Sequence, residues 1–219
     1  MIRAGAMARP GAALVSALLV VLSALLVYQG IQLWRFNALE QQATATLEGE
    51  YWRAETIQPL VDLRDSLTGW QDTAGMRSRA RQLGSRLGQA MGQSPSATQR
   101  DAAAVLAVDP VNASAWMDLA IASWAASDRA LAYEAWKMSS LVAPREMGHV
   151  TRRMAFLLAL WPQAPDELKQ QFFFQLNLMF GASRYFGTPW RKLMAKVPAD
   201  IRKQVDAEWR AYGRPASLR

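Results

Sequence analysis

Between Arg9 and Arg35 the chain carries no charged residue for 25 consecutive positions. Coiled as a helix, that stretch would measure about 37 Å at roughly 1.5 Å per residue, enough to cross a hydrocarbon core of about 30 Å with some tilt. Its most apolar part, ALVSALLVVLSALLVY from Ala13 to Tyr28, follows Arg3 and Arg9, while Tyr28 and Trp34 suit the interfacial belt at the far end. The first expectation is therefore a single spanning anchor.

A cleavable signal peptide shares the charged start and the apolar run, but it ends in small residues at a defined spacing. Here Val27-Tyr28-Gln29-Gly30 follows the run, and the apolar pattern continues through Ile31, Leu33 and Trp34. This favours an uncleaved anchor. A mitochondrial presequence is a third reading, since the first acid is Glu40, although the run is more apolar and poorer in arginine than such segments. Arginines ahead of the span place the amino terminus in the cytoplasm and the remaining chain in the periplasm of a bacterium, as a single-pass inner-membrane protein.

Composition narrows the chemistry. The 219 residues include no cysteine and one histidine, His149, which leaves almost no material for a thiolate site, a histidine-rich metal site or a Ser-His-Asp triad. No cofactor is expected. The net charge of +7 owes three units to Arg3, Arg9 and Arg35, and the rest interleaves 22 basic with 18 acidic residues. Without a basic stripe or a recognition motif, a nucleic-acid partner is not expected.

Three regions follow: an anchor over 1–36, a helical connector over 37–75, and a helical domain over 76–219. The connector is acidic and interrupted at Gly49, Pro59 and Gly69, which predicts one helix followed by a shorter one. In MRSRARQLGSRLGQAMGQ, Leu83, Leu87 and Met91 recur every four residues, the mark of an amphipathic helix. Gly84, Gly88 and Gly92 recur beside them, and close approach by a second helix is the expected use of their missing side chains. Downstream, Asp109-Pro110, Ser127-Asp128, Pro144, Trp161-Pro162, Gly187 to Pro189 and Pro198 punctuate apolar segments without strand alternation. The fold class is all-α, built of consecutive helix hairpins.

Pro110 and Pro144 lie 34 residues apart, and Trp116 follows Pro110 by six. The spacing puts Trp116, Leu119, Ala120 and Ser123 on one face of a first helix and Ala132 and Trp136 on a second, with Asp128 able to cap the second. Pro144 closes the unit. This segment, 111–144, resembles the tetratricopeptide repeat, with Ala120, Ser123 and Trp136 where the pattern has glycine, tyrosine and phenylalanine. The resemblance implies repeat packing by Trp116, Leu119, Ala120, Ala132, Trp136 and Pro144. It also implies that the other face, Met117, Ile121 and Trp124, lines a groove for a protein partner unless the chain itself covers it.

Other residues carry weaker expectations. FFFQLNLMF, Phe172 to Phe180, is apolar all round a helix that starts near Pro165, which predicts a buried central helix whose excess face contacts a partner or membrane. Ile201, Val205, Trp209 and Tyr212 form the stripe of a last, capping helix. The short anchor, the single repeat closing in Ala143-Pro144 and the following RRMAFLLALWPQAP resemble small proteins encoded in bacterial exopolysaccharide biosynthesis clusters. That resemblance implies a non-enzymatic scaffold or adaptor in polymer assembly or export, with a protein partner in the membrane and a polysaccharide nearby. Cytochrome maturation is another setting for anchored proteins of this kind. The competing class is an envelope glycan enzyme using Asp62, Asp166 or Glu167, which would need two acids facing each other across a pocket.

Overall fold

The computed structural model describes residues 10–48, 57–182 and 185–213, and every regular element in them is helical. Arg3, Arg9 and Gly49, on which the expected orientation and one expected break rest, lie outside the described residues.

The first helix, α1 (Pro10–Glu48), is continuous across Phe36 and Asn37, where the anchor was expected to give way to the connector. Its amino-terminal part exposes Leu14, Leu18, Leu22, Leu26 and other large apolar side chains all round. The helix is long and apolar enough to cross a membrane. Its carboxy-terminal part changes character, burying Phe36 and Ala43 against α2 (Ile57–Thr68) and α3 (Arg77–Ala90). Leu60, Leu63, Leu67, Leu83 and Leu87 complete this first core. Trp70 meets Phe36 edge-on at 5.6 Å, and the Arg79 guanidinium lies over the same Phe36 ring while pairing with Glu40. One helix thus joins an exposed apolar stretch to an element of the first core.

Pro59 does not break a helix: it occupies the first turn of α2, where its missing N–H costs nothing, and Gly69 ends that helix. The glycines of α3 also differ from expectation. Side chains, not a second helix backbone, take the space beside Gly84 and Gly88: Gln71 at the former, Gln93 and Arg64 at the latter. Gly92 has φ +80° and ends α3, with Gln93 N–H returning to the Gly88 carbonyl at 2.9 Å.

The second core begins with α4 (Pro95–Leu106), α5 (Ala113–Ala125) and α6 (Arg129–Val142). It continues through α7 (Met147–Ala159), α8 (Asp166–Ala182), α9 (Gly187–Ala195) and α10 (Ala199–Tyr212). The Gly187 to Pro189 stretch, expected as a turn, opens α9. Ser94, Asn112 and Asp128 cap their helices by accepting backbone N–H groups. Asn112 also joins the two cores: its amide donates to Ser78 Oγ and Gln82 Oε1 on α3, both at 3.3 Å. Ser78 Oγ in turn donates to Asp109 at 2.7 Å. At the carboxy-terminal end Ile201, Val205 and Trp209 of α10 are buried, and Trp209 stacks on Phe180.

Candidate functional site

The α5–α6 hairpin turns on two residues. Ser127, at φ 65°, donates its N–H to the Trp124 carbonyl, and Asp128 N–H returns to Ser123 at 2.8 Å, closing α5. The Asp128 side chain then accepts from Leu131 N–H at 3.1 Å, opening α6. The helices run antiparallel, since Ser139 near the end of α6 donates its hydroxyl to the Ala113 carbonyl at the start of α5. Ala120, Ala132 and Trp136 are fully buried and Leu119 nearly so; Pro144 is exposed just past α6. Trp116 is half-buried, with its indole N–H on the Pro110 carbonyl at 2.8 Å. Ser123, where the repeat pattern has a bulky filler, instead meets the amide of Gln99 from α4 at 3.1 Å.

The face expected to form a groove is covered by the chain. Met117 has no exposed surface, and Ile121 is half-buried against the same core. Trp124 meets Tyr133 of α6 at 5.9 Å and Phe156 of α7 at 6.4 Å, and Arg129 lies over its ring. The physical reason is α7: its inward stripe of Val150, Met154 and Leu157 is fully or almost fully buried and packs on α5 and α6.

Under α7 lies a polar seam that the sequence reading did not find. Asp118, 1 % exposed, takes Arg152 at 2.5 Å. Arg153 is fully buried and, among the described residues, opposes no carboxylate within salt-bridge distance. Its guanidinium donates to the carbonyls of Ser139 (3.0 Å) and Ala143 (2.8 Å) and to Gln175 Oε1 (3.2 Å). Those carbonyls belong to the end of α6, where the negative pole of the helix favours a cation. Burial lowers the Arg153 pKa to about 10, partly opposed by Glu146, so the group is charged at neutral pH. The adjacent RR could have signalled the seam, but periodicity alone puts Arg153 inward without saying what would receive it.

His149 completes the seam, with Nε2 3.1 Å from Glu146 and Nδ1 3.4 Å from Ser114 Oγ. Burial lowers its pKa below 6.5; Glu146 opposes this, and Arg153 and Arg152 add to it. As pH falls through about 6.5, the unfolded chain binds a proton that the folded chain resists, so stability should decline until the lower folded pKa is passed. Denaturant titrations between pH 7.5 and 5 should show this decline, and His149→Gln should flatten it.

An open apolar groove lies between α6 and α8. Its volume is about 400 Å³, and it is lined by residues including Lys137, Leu141, Pro144, Phe174 and Leu178. Leu141 is 72 % exposed and Phe174 60 %, whereas the neighbouring Phe172 and Phe173 are buried. Phe174 is thus the excess face of the apolar run. Lys137 at the rim pairs with Glu134 and with Glu167 of α8, at 3.1 and 3.0 Å.

The three acids considered for glycan chemistry are not brought together. Asp62, on α2 of the first core, accepts from Gln58 at 2.8 Å. Asp166 and Glu167 open α8 of the second core, Glu167 held by Lys137. The walls of the α6/α8 groove contain no carboxylate, and among the described residues no group of three His, Asp or Glu side chains is arranged to hold a metal. Comparison with protein-family models, curated proteins and solved structures finds no match for this chain.

Proposed function

We propose that this chain is a membrane-anchored, tetratricopeptide-like adaptor that offers the α6/α8 groove to a protein partner in the assembly or export of a bacterial envelope polymer such as an exopolysaccharide. The observation that carries the reading is the pair Leu141 and Phe174, two large apolar side chains left open on one groove of a domain otherwise packed with aromatics. An amphipathic helix or an extended apolar segment suits a channel between two helices with a charged rim. The repeat reading draws support from the antiparallel α5–α6 hairpin and from α7 packing against both of its helices, as stacked hairpins do. The polymer setting rests on the resemblance of the anchor, repeat and RRMAFLLALWPQAP segment alone. In this reading α1 spans the inner membrane and the domain faces the periplasm.

The test is photo-crosslinking in intact cells from a photoreactive side chain at position 141 or 178. An adduct with a membrane subunit of a polymerisation or export complex is expected. Phe174→Glu should remove the adduct while costing about 1 kcal/mol or less in stability, because the ring is mostly in solvent. Absence of any adduct, together with normal polymer output in a deletion strain, would refute the reading.

A further inference from the structure

A second cleft, of about 620 Å³, lies between α1 at Tyr28–Leu33 and the turn joining α2 to α3, Gly69–Met76. Its depth relative to a membrane follows from the helix. A hydrocarbon core of about 30 Å takes roughly 20 residues at 1.5 Å each, so a span beginning just after Arg9 ends close to Gly30. Tyr28, Ile31, Leu33 and Trp34 are exposed at that level, an aromatic and apolar belt of the kind found at the interface. The cleft therefore opens at the boundary between hydrocarbon and headgroups.

Its opposite wall is held there by the first core. Trp70 is fixed edge-on to Phe36, two turns beyond Tyr28 on the same helix, so the turn cannot lie far from the anchor. Successive backbone bonds, Trp70 N–H to Leu67 and Met76 N–H to Thr73, make the turn a compact wall. Gly30, Gly69 and Gly75 leave the cleft wide: a methyl at any of them would meet no atom within 4 Å. The lining combines apolar Leu33, Trp70 and Met76 with polar Gln29, Gln32 and Thr73. That mixture matches the ester and upper-chain region of a lipid better than it matches water or pure hydrocarbon.

We propose that this cleft binds a glycerophospholipid of the outer leaflet, its upper acyl chain against Leu33, Trp70 and Met76 and its glycerol ester region beside Gln29, Gln32 and Thr73. The α2–α3 turn is then a second membrane contact, which fixes the domain's tilt on its anchor. The continuity of the cleft with a helix that crosses the bilayer selects this occupant, because the lipid layer surrounds one of its walls. The inference rests on the reading of α1 as a span.

The full-length protein, in nanodiscs containing phosphatidylethanolamine with a photoreactive group high on its acyl chain, tests this by mapping adducts. Adducts are expected both on residues 14–35 and on the turn at 69–76. Gly30→Trp, at a position where an added Cβ meets no atom within 4 Å, puts an indole on the α1 wall of the cleft and should reduce turn adducts about tenfold, leaving α1 adducts and the unfolding temperature unchanged. Ala74→Trp should do the same from the opposite wall. Adducts on α1 without any on the turn, or turn adducts that persist in both variants, would overturn the lipid site. A lack of adducts on α1 as well would overturn the span itself.

Discussion

Trp136→Ala should destabilise the helical domain by about 3 to 5 kcal/mol, which for a domain of this size lowers the unfolding temperature by roughly 10 °C or more. The side chain has no exposed surface, and it sits where α6 meets α7, its indole N–H donating to the Arg153 carbonyl at 3.1 Å. Removing it leaves a cavity between two helices and takes a second donor from the Arg153 carbonyl, which keeps its place in the backbone bonding of α7. Trp124→Ala provides the comparison. That ring is partly in solvent, and its contacts with Tyr133, Phe156 and Arg129 lie at the edge of the core, so about 1 to 2 kcal/mol is expected. Thermal and denaturant unfolding of the two variants should differ accordingly; equal losses would mean that Trp136 is not the hairpin's central packing residue.

Arg153→Ala is the second large effect. This buried cation, with no acid in contact among the described residues, is tolerated because the end of α6 supplies two carbonyls and α8 supplies Gln175. Deleting the guanidinium strands the Ala143 carbonyl and Gln175 Oε1, whereas the Ser139 carbonyl keeps the Ala143 N–H at 3.3 Å; at about 1 to 3 kcal/mol for each buried group left unmet, a loss of about 2 kcal/mol or more is expected. Arg153→Lys separates geometry from charge. An ammonium keeps the charge but lacks the planar fork that reaches the Ser139 and Ala143 carbonyls and Gln175 from one side chain. Lysine should therefore recover less than half of the loss. Recovery to within about 0.5 kcal/mol of the wild type would show that charge at the helix end, rather than the three-way bonding, is what counts.

These two residues also mark what the sequence makes legible. Trp136, the Asp128 cap and the α5–α6 turn follow from spacing, because contacts within a hairpin are close in sequence and the helical period decides which side chains face each other. Ile201, Val205 and Trp209 are legible for the same reason, as one stripe of α10. Met117 is not. Its helix position separates it from Trp116 correctly, but its burial depends on how neighbouring helices approach α5, which no local pattern fixes. Arg153 likewise needs the end of α6 and Gln175 of α8 to meet around it. The glycines of α3 mislead because a missing side chain admits a glutamine as readily as a helix. The open groove was half visible: the apolar run announced an excess face, but only packing shows that Phe174 carries it and Leu141 joins it.

The central proposal, a single span carrying this domain into the periplasm, is open to a direct measurement because the chain has no cysteine. Val20→Cys lies in the exposed apolar part of α1, and Ala104→Cys on the open surface of α4. In intact cells a membrane-impermeant maleimide should label Ala104→Cys fully and leave Val20→Cys unlabelled until the membrane is dissolved and the protein unfolded. Labelling of Ala104→Cys only after permeabilisation would contradict the orientation, and equal labelling of both in intact cells would contradict the span.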